Sequence, residues 1–112
     1  MILIIREPVT REQLAHMSEA PGGTLVKLAV DVERRVLAGG GELHADCEAA
    51  LLEDGSQQSD VWGADWYPLA REVGFESIIN IRPRQQNLTL EVQNPDLRSQ
   101  IEAIVRQMLE VG

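Results

Sequence analysis

Between Arg35 and Arg71 the chain carries no Lys or Arg and seven acids: Glu42, Asp46, Glu48, Glu53, Asp54, Asp60 and Asp65. The densest part, Gly39-Gly40-Gly41-Glu42-Leu43-His44-Ala45-Asp46-Cys47-Glu48, adds an imidazole and the single thiol. Several carboxylate oxygens in a negative field suit a hard divalent cation. On a helix, His44 and Glu48 share a face at i,i+4. On a strand, Glu42, His44, Asp46 and Glu48 share a face at period two. Neither pattern has the paired-ligand spacing of a closed zinc site. A solvated acidic face is therefore preferred, and no metal or cofactor is expected. Cys47 has His44 three residues away, but Asp46 and Glu48 flank it and oppose thiolate formation. It reads as a buried, inert thiol.

A second polar cluster, Asn80-Ile81-Arg82-Pro83-Arg84-Gln85-Gln86-Asn87, holds two of the ten basic residues. Guanidinium groups beside a rigid proline can grip a carboxylate or phosphate bidentately. They can equally neutralise the acids of 42–54 within the fold, and this internal role is favoured. Trp62 and Trp66 sit at alternating positions, so both rings project from one sheet face. Core burial is the first expectation for them. On an open face, Trp62, Trp66 and Tyr67 would anchor a partner. The triple glycine matches no phosphate-binding loop and reads as a bend or bulge.

These groups need elements to position them. Residues 1–5 form an apolar run that suits a short strand covered on both faces. Thr10 and Gln13 make a capping box, and Val9 and Leu14 a hydrophobic staple, for a helix over 10–20 that stops at Pro21-Gly22-Gly23. Residues 24–41 alternate as a strand, turn and second strand, although a helical stripe also fits. A short helix over 46–54 is expected, with Asp46 as N-cap and Gly55 as C-cap glycine. Residues 61–67 and 75–82 read as two strands of a hairpin around Pro68 and Gly74. Asn94, Pro95 and Asp96 begin a terminal helix with the apolar stripe Leu97, Ile101, Ile104, Val105 and Met108.

The chain has 112 residues, 44% of them apolar, which suits one globular domain. Ten basic against eighteen acidic residues give a net charge of −8, a field that repels nucleic acid and anionic membranes. No apolar run is long enough to span a bilayer, and residues 1–7 lack the basic leader of a signal peptide. A reduced, cytoplasmic protein is expected.

The runs GGELHAD, LLEDGS, WGADW, INIRP and NPDLRSQIEAIV together resemble a small uncharacterised bacterial family, well represented in cyanobacteria. That resemblance covers almost the whole chain and implies a compact stand-alone domain, but assigns no catalytic or binding residue. The expected fold is α+β: a mostly antiparallel sheet of four or five strands with the N- and C-terminal helices on one face. The expected function is non-catalytic binding or interaction, with self-association into a homo-oligomer. The alternative is a small enzyme or metal-binding protein using Glu42, His44, Asp46 and Glu48, with Arg82 and Arg84 clamping an anion.

Overall fold

The computed structural model describes residues 2–18 and 25–111. Five strands, β1 (Leu3–Ile5), β2 (Val26–Asp31), β3 (Val36–Gly39), β4 (Val61–Tyr67) and β5 (Glu72–Gly74), form one antiparallel sheet in the order β1-β3-β2-β4-β5. Helices α1 (Arg11–Met17) and α3 (Pro95–Leu109) cover one face, and α2 (His44–Glu53) covers the other. The expected α+β fold is the one observed, with both terminal helices on the same face.

Period-two alternation decides residues 25–41 in favour of a hairpin. Val26, Leu28 and Val30 point into the α1/α3 core, while Ala29 and Asp31 face α2. Asp31 Oδ1 makes the turn by accepting from the amides of Glu33 and Arg34, both at 2.9 Å. On the α1/α3 side the core is large-residued: Leu37, Trp62 and Trp66 meet Ile101, Ile104, Val105 and Leu109. The α2 side is built from Ala29, Ala38, Val36 and Val61 against Cys47 and Leu51. Small sheet residues let α2 lie close.

The helix signals fall as their chemistry requires. Thr10 and Gln13 complete the capping box, and Val9 and Leu14 pack into the same core. The helix is shorter than the expected 10–20, ending at Met17 with the Ser18 amide closing on the Leu14 and Ala15 carbonyls, and the expected stop at Pro21-Gly22-Gly23 lies outside the described residues. Asn94 accepts from the amides of Asp96 and Leu97 at the start of α3. Helix α2 departs from expectation at its beginning. It starts at His44, Asp46 lies inside the first turn, and Leu43 at the N-cap supplies no side-chain bond. Its end is as read: Gly55 at φ +107° lets the Ser56 and Gly55 amides reach the Leu51 and Leu52 carbonyls. Arg6 and Arg34 both grip Asp54 there, at 2.6 and 2.8 Å, and hold its carboxyl down at about 2.

The partner of β4 is the main correction. Residues 75–82 are not a strand. Strand β5 pairs only with Asp65, Trp66 and Tyr67, and beyond it the chain leaves the sheet. The side chain of Asn80 then takes the place of a strand. Its Oδ1 accepts from the Gly63 amide at 2.8 Å, and its Nδ2 donates to the Gly63 carbonyl at 3.0 Å. A Cβ on Gly63 would stand 2.4 Å from Ser77 Cβ, so glycine is required at this crossing. Residues 75–92 close into a loop whose arms meet at Phe75–Val92 and Ser77–Leu90. Asn87 ties its interior by donating to the carbonyls of Asn80, Thr89 and Glu91. The β-branched Ile78 and Ile81 suggest a strand, but here propensity yields to side-chain pairing, and both stay exposed.

Asn80→Ala would strand a buried N–H and C=O at Gly63. Urea denaturation should show a loss of about 3 kcal/mol, since each orphaned buried group costs roughly 1–3 kcal/mol. A loss below about 0.5 kcal/mol, the level of surface substitutions, would show that the edge is closed some other way.

Candidate functional site

Helix α2 divides the acidic segment. His44, its first residue, turns inward: Nε2 lies 2.7 Å from Asp65 Oδ1 and 3.2 Å from the Ala64 carbonyl. Both are acceptors, so Nε2 carries the proton and donates. One turn on, Glu48 meets Arg82 at 3.2 Å. Glu42 and Asp46 face solvent. The strand reading, with all four groups on one face, is therefore excluded, and the four do not converge. Among the described residues no group of three His, Cys, Asp or Glu side chains is placed to hold a metal ion. Cys47 is fully buried, its Sγ set toward the Lys27 carbonyl at 3.5 Å. Burial, helped by the Asp46 charge, pushes its thiol up against weaker opposing effects.

Arg82 spends its whole guanidinium inside the fold. Nε donates to the Ile79 carbonyl, Nη1 to the Gln58 carbonyl and Gln85 Oε1, and Nη2 to Glu48 Oε2 and the Val61 carbonyl. Five donors meet five acceptors, and the group stacks on Trp62 at 4.5 Å from the ring centre. This is the ion pair with the 42–54 acids that composition favours, and it leaves no donor for a ligand. Asn80 is likewise buried and committed to Gly63, Phe75 and Leu90. Arg84 is exposed and makes no ion pair among the described residues. Arg82, Arg84 and Glu48 do line one groove of about 520 Å³, together with Ile78 and Ile81.

Trp62 and Trp66 are core residues, 4% and 2% exposed, so they cannot anchor a partner on this fold. Tyr67 alone of the aromatic trio reaches the surface. Gly63 and the His44–Asp65 pairing escape a reading by sequence, because each acts on a residue distant in the chain. The strand–turn–amide placement of Asn80 gives no periodic signal.

The match to known proteins covers this whole framework. A family model described as a protein of unknown function, DUF5674, matches residues 3–108. The chain belongs to the DUF5674 family. No curated protein and no solved structure matches it. The DUF5674 match therefore spans the sheet, all three helices and the 75–92 loop.

Arg82→Lys keeps the charge but not the planar fork, and should cost about 3 kcal/mol in denaturant unfolding. A near-neutral result would show the five bonds to be dispensable. The Cys47 thiol should resist iodoacetamide in the native protein and react fully once unfolded. Rapid native labelling read by mass spectrometry would contradict its burial.

Proposed function

We propose that the chain is a non-catalytic interaction domain that self-associates through the loop that closes the β4 edge. One observation carries this reading. Of the eight large apolar side chains exposed among the described residues, Ile78, Ile81, Leu88 and Leu90 stand on this one segment. Asn80 and Asn87 fix its backbone, so these side chains are presented with little entropy left to lose on binding. Rigid exposed apolar groups on a loop are the usual signature of a contact surface.

A second copy is the favoured partner. With a net charge of −8, like-charged faces repel, so contact between copies must rest on apolar burial. Arg84 lies at the same groove without an ion pair among the described residues, and another copy brings acids in excess. The sheet edges offer less: β1 and β5 have three residues each. Of the groups a small enzyme would use, His44, Glu48 and Arg82 are committed to structure and Glu42 and Asp46 face solvent, so nothing favours the catalytic alternative.

Analytical ultracentrifugation tests this. The wild type should sediment as an oligomer at micromolar concentration, and Ile78→Asp with Ile81→Asp should weaken association about tenfold or more, with the denaturation midpoint unchanged. A wild type that stays monomeric at high concentration and moderate salt would refute self-association.

A further inference from the structure

On the far side of the same loop, a groove of about 420 Å³ collects charge that the fold does not neutralise. Glu76 and Glu91 are directly opposite each other in an antiparallel bridge, an arrangement that costs stability. Arg98 covers Glu91 at 2.6 Å, while its guanidinium is held on the Phe75 ring at 4.3 Å and by the Val92 carbonyl at 3.0 Å. Glu76 makes no ion pair among the described residues. Asp65 lines the same groove. It is 6% exposed, its Oδ1 is taken by His44, and its Oδ2 has no hydrogen-bond partner among the described residues.

Gly74 packs closely beside that oxygen and the Tyr67 ring. A Cβ there would stand 3.4 Å from Asp65 Oδ2 and 3.1 Å from the Tyr67 ring. Tyr67 and Glu76 line the same groove, and burial together with the Asp65 and Glu76 carboxylates pushes the Tyr67 phenol up. Three carboxylates therefore line one groove with a single guanidinium, beside the partly exposed Tyr67.

We propose that this groove binds an alkylammonium group, seated between Asp65 Oδ2, Glu76 and the Tyr67 ring. A positive charge relieves the Glu76–Glu91 repulsion and is attracted by the ring. An ammonium fits better than a guanidinium, because only one oxygen of Asp65 is free, and a single acceptor suits a compact point charge rather than a fork. A metal ion would need several convergent oxygens, and no group of three is so placed among the described residues. The group can belong to a free aliphatic amine or to a lysine side chain. This inference uses neither Ile78 nor Ile81 and stands apart from self-association.

The test is a ¹H–¹⁵N NMR titration of the full chain at low salt with n-butylammonium, and with 1-butanol as the neutral isostere. The amides of Asp65, Gly74 and Glu76 should shift with the cation and not with the alcohol. Gly74→Ala sets a methyl against Asp65 Oδ2 and the Tyr67 ring while keeping every carboxylate, and Glu76→Gln removes one charge. Each should weaken binding about tenfold with the fold retained. Should Gly74→Ala not fold, Tyr67→Leu serves in its place. Nα-acetyl-lysine amide, against its Nε-acetylated form, distinguishes the sources. Binding tighter than butylammonium points to a lysine side chain, and weaker binding to a free amine. Shifts equal to those of butanol, shifts spread over the whole acidic surface, or variants that bind as well as wild type would overturn the proposal.

Discussion

The structure depends on how the outer edge of β4 is satisfied next to Gly63. A buried N–H and C=O left unpaired there would each cost free energy comparable to a lost hydrogen bond. Strand β5 ends two residues too early to pair with them. One amide side chain, that of Asn80, presents the donor and acceptor that a neighbouring strand would have supplied. Because a side chain rather than a backbone makes the pairing, residues 75–92 are released from sheet geometry. They are then free to carry apolar side chains outward, as Ile78 and Ile81 do.

The same edge fixes the position of α2. Arg82, two residues past Asn80, reaches over Trp62 and joins the Val61 carbonyl to Glu48 on the helix. His44 meets Asp65 of β4 one turn earlier along α2. At the opposite end of the helix, Arg6 and Arg34 converge on Asp54. Helix α2 thus rests on a thin apolar layer and is pinned by charged groups at its start, middle and end. That arrangement suits a face whose sheet residues are alanines and small valines, where hydrophobic area alone is limited. The acids of 42–54 look like a ligand site in sequence because their partners, Arg34 and Arg82, come from other segments.

What was legible in the sequence follows periodicity and caps. The terminal helix, the capping box at Thr10, the 25–39 hairpin and the Gly55 C-cap all have local causes, and each is observed. The misreadings share one cause. Residues 75–82 have strand-forming side chains, yet Asn80 outweighs them through a contact seventeen positions away in sequence. Asp46 has the chemistry of an N-cap, but the helix begins two residues earlier, so His44 can reach Asp65. Trp62 and Trp66 were correctly placed on one sheet face. Which face would be covered depended on α3, whose packing partner no local pattern names.

Two aspartates on this sheet show how structure separates from function at the level of single atoms. Asp31 and Asp65 each use Oδ1 inside the fold, one to make the β2–β3 turn and the other to hold His44. The remaining oxygen of Asp31 is sealed from solvent and has no partner among the described residues, so its cost is borne for the sake of the turn. The side chain of Asp65 borders a groove, beside glutamates that add to its charge. A sealed orphan can serve only the fold. An open one can be met from outside the fold, by water or by a cation.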